Sequence, residues 1–198
     1  MDKAAIPVAS PDPGASRVRV WDPLVRLFHW AVAAGVIANL TLLRHEEKPH
    51  IYIGYAVVAA LLVRLAWGFL GRGHARFASF VPSPRGLTAY FRAMLARREP
   101  RYVGHNPAGA AMIVLLIALL AIIGTTGWMM GLDALWGVAW VEAVHETTAN
   151  VLIGAVALHV AGAIAESVRH HENLPLAMIT GYKRPAEGTD IDHAPVAR

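Results

Sequence analysis

Four long apolar stretches separate the polar parts of the chain. They run over 24–43, 51–70, 108–130 and 143–165, and each has roughly the twenty residues that a helix needs to cross about 30 Å of hydrocarbon. Residues 111–123 have no polar side chain, whereas each of the other three stretches contains or directly follows a histidine. The pattern predicts an all-α integral membrane protein that folds as a four-helix bundle.

The segments between these stretches are polar. Residues 44–49 predict a tight turn, 71–107 a long basic connection and 131–142 a short loop. In the long connection, apolar residues recur at helical spacing opposite bases, which predicts an amphipathic helix lying in the headgroup region. The apolar set is Leu87, Tyr90, Phe91, Met94 and Leu95, and the basic set is Arg85, Arg92, Arg97 and Arg98. We interpret this helix as a membrane-surface anchor, with a docking face for a cytoplasmic subunit as the alternative.

Composition agrees with a membrane protein. The 198 residues are 56% hydrophobic and 16% charged, with a mean hydropathy of +0.43, a balance that is unusual for a soluble domain. The chain has no cysteine. Disulfides, thiolate metal sites, iron–sulfur clusters and covalently attached c-type haem are therefore excluded.

The basic residues are distributed unevenly about the predicted spans. Sixteen of the 18 lysines and arginines lie before or at the start of the first span, near the end of the second span, in the long connection, or after the fourth span. The positive-inside rule therefore places both termini and the long connection in the cytoplasm. We expect residues 1–20 to form a flexible cytoplasmic tail, 21–183 the transmembrane domain and 184–198 a second cytoplasmic tail. Because the bases do not form a patch on a soluble fold, we expect no nucleic-acid partner.

Four of the ten histidines lie within or at the start of an apolar span, where an unpaired polar ring is costly and marks function. These are His29, His50, His145 and His159. The alternative for any one of them is a hydrogen bond to a neighbouring helix. The other histidines have simpler interpretations: His74, His105, His170, His171 and His193 lie in polar stretches and are expected to be solvated, and His45 is expected at the outer rim.

The depths of the four histidines sort them into pairs. His145 and His159 are 14 residues apart, so on one helix they lie roughly 21 Å apart along the axis and about 40° apart in azimuth. The first span enters from the cytoplasm and the second from outside, which puts His29 at the inner depth and His50 at the outer depth. We therefore expect His29 to face His159 and His50 to face His145.

Two facing imidazoles on neighbouring helices supply the axial ligands of a haem iron. Since two such ligands leave no open position on the iron, the pattern predicts two electron-carrying haems b stacked across the bilayer. Arg26 and Arg64 lie at the cytoplasmic ends of their helices and are candidates for pairing with the inner haem propionates, with snorkelling to the interface as the alternative. Small residues could make room for the macrocycles or could serve ordinary helix packing: Ala33, Ala34, Gly35, Gly54, Ala149, Gly154 and Ala155.

Several short motifs surround these histidines. They are Val20 to Trp30 (VWDPLVRLFHW), His50 to Tyr55 (HIYIGY), Gly104 to Pro107 (GHNP), His145 to Asn150 (HETTAN) and Leu158 to Val160 (LHV). From about Val20 to Lys183 the chain resembles the prokaryotic cytochrome b561 family. The resemblance implies a four-helix dihaem b cytochrome of the inner membrane that exchanges electrons with quinone. The family's haem-ligating histidines correspond to His29, His50, His145 and His159. The closing run 172–184 is similar to members that serve hydrogenases and other periplasmic redox partners.

Three functions remain open from the sequence. The first is electron transfer between membrane quinone and a periplasmic partner, such as a basic c-type cytochrome or a hydrogenase-like enzyme. The second is superoxide oxidation with reduction of ubiquinone. The third is a histidine-lined transporter or sensor of a metal ion, which the roughly 21 Å between His145 and His159 disfavours because the two rings cannot share one ion.

The charge of the predicted outer face favours the first function over the second. That face carries two bases, Arg44 and Lys48, against five acids, a balance of −3. The acids are Glu46, Glu47, Asp133, Glu142 and Glu146. Because this face would repel an anionic substrate and attract a basic protein, we expect weak superoxide activity and salt-sensitive electron exchange with a cationic cytochrome.

Overall fold

A computed structural model describes residues 17–43 and 47–193. Over these residues the chain forms six α-helices and one short pair of strands. The helices are α1 (Pro23–Thr41), α2 (Glu47–Leu70), α3 (Pro84–Leu95), α4 (Pro107–Met130), α5 (Ala139–Arg169) and α6 (Leu174–Thr180). The strands are β1 (Val18–Arg19) and β2 (Tyr182–Lys183), which pair antiparallel.

Four of the helices begin at the same kind of local signal. A short polar side chain accepts a hydrogen bond from a backbone N–H in the first turn, and a proline occupies one of the first two helical positions. This combination satisfies an otherwise unpaired donor and fixes the backbone in a helical conformation. The capping residues are Asp22, Ser83, Asn106 and Asn173.

Helices α1, α2, α4 and α5 are long and apolar enough to cross a membrane. They confirm the four predicted spans, and α5 extends about one turn beyond its predicted span at each end. The chain is thus a helical multi-pass membrane protein. We call the end of the bundle with β1 and β2 the terminal end, and the end with the α1–α2 and α4–α5 connections the loop end.

The central core of the bundle takes residues from all four long helices. Its buried members are Val32, Leu61, Leu119, Leu120, Leu152 and Ala155. Helix α4 packs closely on α5 and α2, and α2 on α1. The approach of α2 to α4 is close at Gly124, where a Cβ would lie 2.4 Å from Val58 Cγ2. Many large apolar side chains outside this core are exposed, which suits a protein whose surroundings are lipid.

Buried ion pairs connect segments that are distant in sequence at the terminal end. The Arg101 guanidinium contacts Glu172 at 2.8 Å and Asp190 at 2.5 Å, and it also donates to the carbonyl oxygens of Pro185 and Arg184. Burial by itself would raise the pKa of Glu172, but hydrogen bonds and positive charge from Arg101 and Lys183 outweigh it and lower that pKa. The structure describes residues 184–193, the first ten of the predicted C-terminal tail, and Arg184, Pro185 and Asp190 in this segment all contact the Arg101 side chain.

The predicted amphipathic helix is present as α3. Its Tyr90 is buried, and the Tyr90 hydroxyl donates to Glu166 at 3.3 Å. Phe91 and Leu95 on the same helix are exposed. Tyr90 therefore fixes α3 to the bundle rather than lying among lipid headgroups, while Phe91 and Leu95 remain available to a membrane surface.

Candidate functional site

The structure brings together the two histidine pairs that the depth argument predicts. The ring centroids of His29 and His159 lie 6.3 Å apart, and those of His50 and His145 lie 6.4 Å apart. The first pair is near the terminal end and the second near the loop end, with the central core between them. The bundle thus holds two separate sites of the same construction.

The spacing of each pair suits one metal ion between two imidazoles. An imidazole nitrogen binds a transition metal at about 2 Å, so two opposed ligand nitrogens lie about 4 Å apart and their ring centres roughly 6 Å apart. Both observed centroid distances match this value. The rings are also too far apart to hydrogen-bond directly, so mutual hydrogen bonding does not explain the arrangement.

Helix packing leaves room beside the rings. Each pair takes one histidine from α5 and the other from α1 or α2. Among the described residues, however, neither α1 nor α2 packs closely on α5. Helix α4 instead fills one side of the bundle and contacts both α2 and α5. Because α5 does not pack closely on α1 or α2, a flat group would be held between these histidine-bearing helices.

Two neighbours orient the His145 ring. The Thr126 hydroxyl donates to the Ile122 carbonyl oxygen at 2.8 Å and lies 3.0 Å from His145 Nδ1. Because the Thr126 proton is already used, its oxygen accepts from Nδ1–H, and this tautomer leaves Nε2 free for a metal. A Cβ at Gly127 would lie 3.3 Å from His145 Cε1, so glycine lets the ring take this position.

Arg26 on α1 and Arg64 on α2 lie toward the terminal end of the bundle, as does the His29–His159 pair. Arg64 is 3% exposed, its guanidinium carbon lies 4.7 Å from the Phe77 ring centroid, and its Nη1 has no hydrogen-bond partner in the described structure. The Arg26 guanidinium donates to the Ile179 carbonyl oxygen, while Arg26 Nε is buried and, within the described residues, also unpartnered. Buried cationic donors without a partner are costly, so both arginines suit a bound anionic group.

A family model for prokaryotic cytochrome b561 matches residues 20–181, a range that includes both histidine pairs. The chain belongs to the prokaryotic cytochrome b561 family. It is accordingly a membrane b-type cytochrome of electron transfer, and the family implies haem b as its cofactor.

Several curated relatives are named as cytochrome subunits of hydrogenases. A "Probable Ni/Fe-hydrogenase B-type cytochrome subunit" of Bradyrhizobium diazoefficiens is 24% identical, covering 86% of this chain and 87% of the relative. Proteins of the same name from Azotobacter vinelandii and Cupriavidus necator are 22% and 24% identical, with coverage of 84% and 83% of this chain and 88% and 86% of theirs. No solved structure gives a significant match.

The donor chemistry of this cytochrome fits haem b. Neutral imidazoles are the expected iron ligands, and His29 Nδ1 is buried without a hydrogen-bond partner among residues 17–43 and 47–193. The unpartnered nitrogens of Arg26 and Arg64, toward the same end of the bundle, match the negative charge of propionates. The small residues give a weaker signal, because Gly35 packs against Val57 and Ala155 lies in the central core. Ordinary helix packing explains those two positions.

The expectation that His105 is solvated is wrong. Its ring packs between Trp21 and Phe80, with centroid distances of 4.5 and 4.7 Å. Its Nδ1 is buried and has no hydrogen-bond partner in the part of the chain that the structure describes. Burial, and then the positive charges of Arg64 and Lys183, lower the pKa of His105 to about 3. The GHNP sequence alone does not reveal this aromatic cage, since Trp21 and Phe80 come from distant segments.

Two further histidines expected in solvent are also partly enclosed. His74 Nε2 lies 2.9 Å from Asp192 Oδ1, and His170 Nε2 lies 3.3 Å from Glu166 Oε2, with both rings less than one-fifth exposed. His171 and His193 are exposed, as expected. The predicted rim position of His45 lies outside the described residues.

Proposed function

We propose that this cytochrome carries electrons across the bilayer through two haems b, each held by two histidines. His29 and His159 would hold the inner haem, and His50 and His145 the outer one. The observation that carries the proposal is the repeated facing pair, with ring centroids 6.3 and 6.4 Å apart near opposite ends of four apolar helices. Bound haem supplies one-electron oxidation and reduction at its iron.

The protein's own residues set the conditions for that chemistry. With two histidines holding each haem, its iron would offer no open site to oxygen or peroxide. Thr126 holds His145 in the tautomer with a free Nε2. Arg26 and Arg64 would pair with the inner propionates through their unpartnered nitrogens, and the apolar helices keep water and ions away from the electron path.

We place the protein in the bacterial inner membrane with both termini in the cytoplasm. The support is the concentration of bases at the terminal end, where Arg19, Arg72 and Arg85 are exposed. The transmembrane domain would comprise residues 21–183, flanked by tails over 1–20 and 184–198. The terminal end is then the cytoplasmic end, and the loop end is periplasmic.

We propose membrane quinone and a periplasmic redox protein as the electron partners. On the loop end, the described charged residues Lys48, Glu47, Asp133, Glu142 and Glu146 are all exposed, so acids outnumber bases there. This charge favours a basic partner such as a c-type cytochrome. The hydrogenase cytochrome subunits among the relatives make a hydrogenase-like enzyme the other partner to consider.

Superoxide oxidation is the alternative activity, and the acidic loop end disfavours it because superoxide is an anion. Stopped-flow decay of superoxide separates the two functions. Our proposal predicts slow decay with the purified cytochrome. Decay near the diffusion limit would instead establish superoxide as a substrate.

Single histidine variants test the ligand assignment. We expect His29→Ala and His159→Ala to lose the same haem, and His50→Ala and His145→Ala to lose the other, as measured by haem content and redox titration. His171→Ala, which changes an exposed histidine, is the control and should keep both haems. Full haem content in the His29→Ala protein would exclude His29 as a ligand.

A further inference from the structure

A second group of potential metal ligands lies at the terminal end, away from both histidine pairs. Glu99 follows α3, Glu166 lies in the last turn of α5, and His170 follows that helix. One ligand atom from each of the three residues lies within 4.8 Å of the other two. Glu166 and His170 are four residues apart at the end of α5, and Glu99 meets them from a segment that is distant in sequence, so the group forms only in the folded protein.

The polar atoms of this group are buried but incompletely bonded. The Glu99 side chain is 1% exposed, and Arg169 contacts only its Oε1 atom. Within the described ranges, Glu99 Oε2 is buried and has no hydrogen-bond partner, and His170 Nε2 is buried and lies 3.3 Å from Glu166 Oε2 without the geometry of a hydrogen bond. A buried carboxylate oxygen in this state is costly, so a further positive or donating group is expected beside it.

The group lies in negatively charged surroundings. Burial raises the pKa of the neighbouring Tyr90 hydroxyl, and the negative charges of Glu166 and Glu99 raise it further. The Tyr90 hydroxyl donates its proton to Glu166 Oε1, which leaves Glu166 Oε2 to face His170. Two carboxylates against the single guanidinium of Arg169 leave the group with net negative charge before any cation binds.

We propose that Glu99, Glu166 and His170 bind a divalent cation of the zinc type. One imidazole nitrogen and two carboxylate oxygens are a ligand set that Zn²⁺ accepts, whereas Mg²⁺ and Ca²⁺ prefer oxygen alone. Ligand atoms of a four-coordinate zinc ion lie about 3.5 Å apart. Closing the group around an ion thus needs side-chain movements of about 1 Å, and solvent reaches the partly exposed Glu166 and His170 to supply the remaining ligand.

The competing explanation is a set of ion pairs without a metal. In that case Arg169 would neutralise Glu99, and a protonated His170 would pair with Glu166. Such ion pairs would fix the end of α5 to the segment after α3, but they would show no specific affinity for zinc. Zinc binding therefore distinguishes the two explanations.

The test is calorimetric titration of the full-length, haem-loaded, chelator-treated protein with Zn²⁺. We expect Glu166→Gln and His170→Gln each to bind one equivalent fewer than the unmodified protein, or to bind that equivalent at least tenfold more weakly. His171→Gln is the matched control, since this adjacent histidine is exposed and should leave the titration unchanged. X-ray absorption at the zinc edge should show nitrogen and oxygen ligands with one imidazole.

An unmodified protein that binds no zinc would overturn the proposal, as would a His170→Gln protein whose titration equals that of the unmodified protein. Loss of the same equivalent in His171→Gln would also contradict it. Haem absorbance recorded on each sample shows whether the variant is folded. Because that absorbance depends on other histidines, failure of the zinc site is distinguishable from failure of the proposed haem sites.

Discussion

At the scale of single residues, surroundings give chemically identical histidines different roles. His29 and His159 face each other with space for an iron between them, whereas His105 lies in an aromatic cage and His171 is exposed. The paired rings indicate a cofactor because they lie too far apart to hydrogen-bond to each other. The caged ring of His105 is instead kept neutral by burial and by nearby positive charge, which lower its pKa.

The lowered pKa of His105 predicts a pH-dependent stability. The folded-state pKa is about 3 and the ordinary value is 6.5, so the unfolded chain binds more protons between these pH values. Stability should therefore fall as the pH drops below 6.5, by at most about 1.4 kcal/mol for each pH unit. In thermal unfolding between pH 7 and pH 4, His105→Gln should show a weaker pH dependence than the unmodified protein.

His171→Gln controls for the general effect of removing a histidine, and its pH dependence should parallel that of the unmodified protein. The readout is the slope of the unfolding midpoint against pH rather than its absolute value, because losing the stacked ring also costs packing. Equal slopes for His105→Gln and the unmodified protein would show that His105 does not titrate differently on unfolding.

At the scale of helices and strands, much of the fold follows from local sequence. Apolar length predicts the four spans, and Asp22, Ser83 and Asn106, each directly before a proline, mark helix starts. The histidine pairing is also predictable, because helical rise and alternating direction convert sequence position into depth. These properties need no knowledge of side-chain packing.

Contacts between distant segments are not predictable in this way. Arg101 meets Glu172 and Asp190, which lie 71 and 89 residues away, and many other acids were available to it in the sequence. The convergence of Glu99 with Glu166 and His170 depends on how the segment after α3 meets the end of α5. Such sites require the three-dimensional arrangement of several loops.

Helix packing gives a test at this scale. In Gly124→Ala, the added Cβ would lie 2.4 Å from Val58 Cγ2, so α2 and α4 must separate or Val58 must move. We expect a loss of about 1–3 kcal/mol, seen as a lower unfolding midpoint in detergent. Gly154→Ala has the same intrinsic helix preference but meets no described atom within 4 Å, so its midpoint should not fall. Equal midpoints for the two variants would contradict the close packing of α2 on α4.

At the scale of the whole molecule, the two ends differ in charge. Exposed bases surround the terminal end, while the described part of the loop end carries Glu47, Asp133, Glu142 and Glu146 against Lys48. In the proposed orientation the acidic end faces the periplasm, where its charge would attract a basic redox protein.

Electron exchange with a cationic c-type cytochrome should therefore slow as salt rises. Between 20 and 200 mM salt, screening shortens the reach of surface charges from roughly 20 Å to under 10 Å, and we expect at least a severalfold fall in the bimolecular rate. Neutralising Glu142 and Glu146 to glutamine should lower the rate at low salt and flatten its salt dependence. Arg85→Gln changes a base at the other end and is the control. A rate independent of salt would show that this face does not steer the partner.

The ratio of haem to polypeptide tests the central claim most directly. Each chain should bind two b-type haems, because the bundle presents two similar histidine pairs. Pyridine haemochrome absorbance of the purified, haem-replete protein, set against protein concentration by amino-acid analysis, should give a ratio of two. A ratio of one, or a colourless protein, would contradict the account.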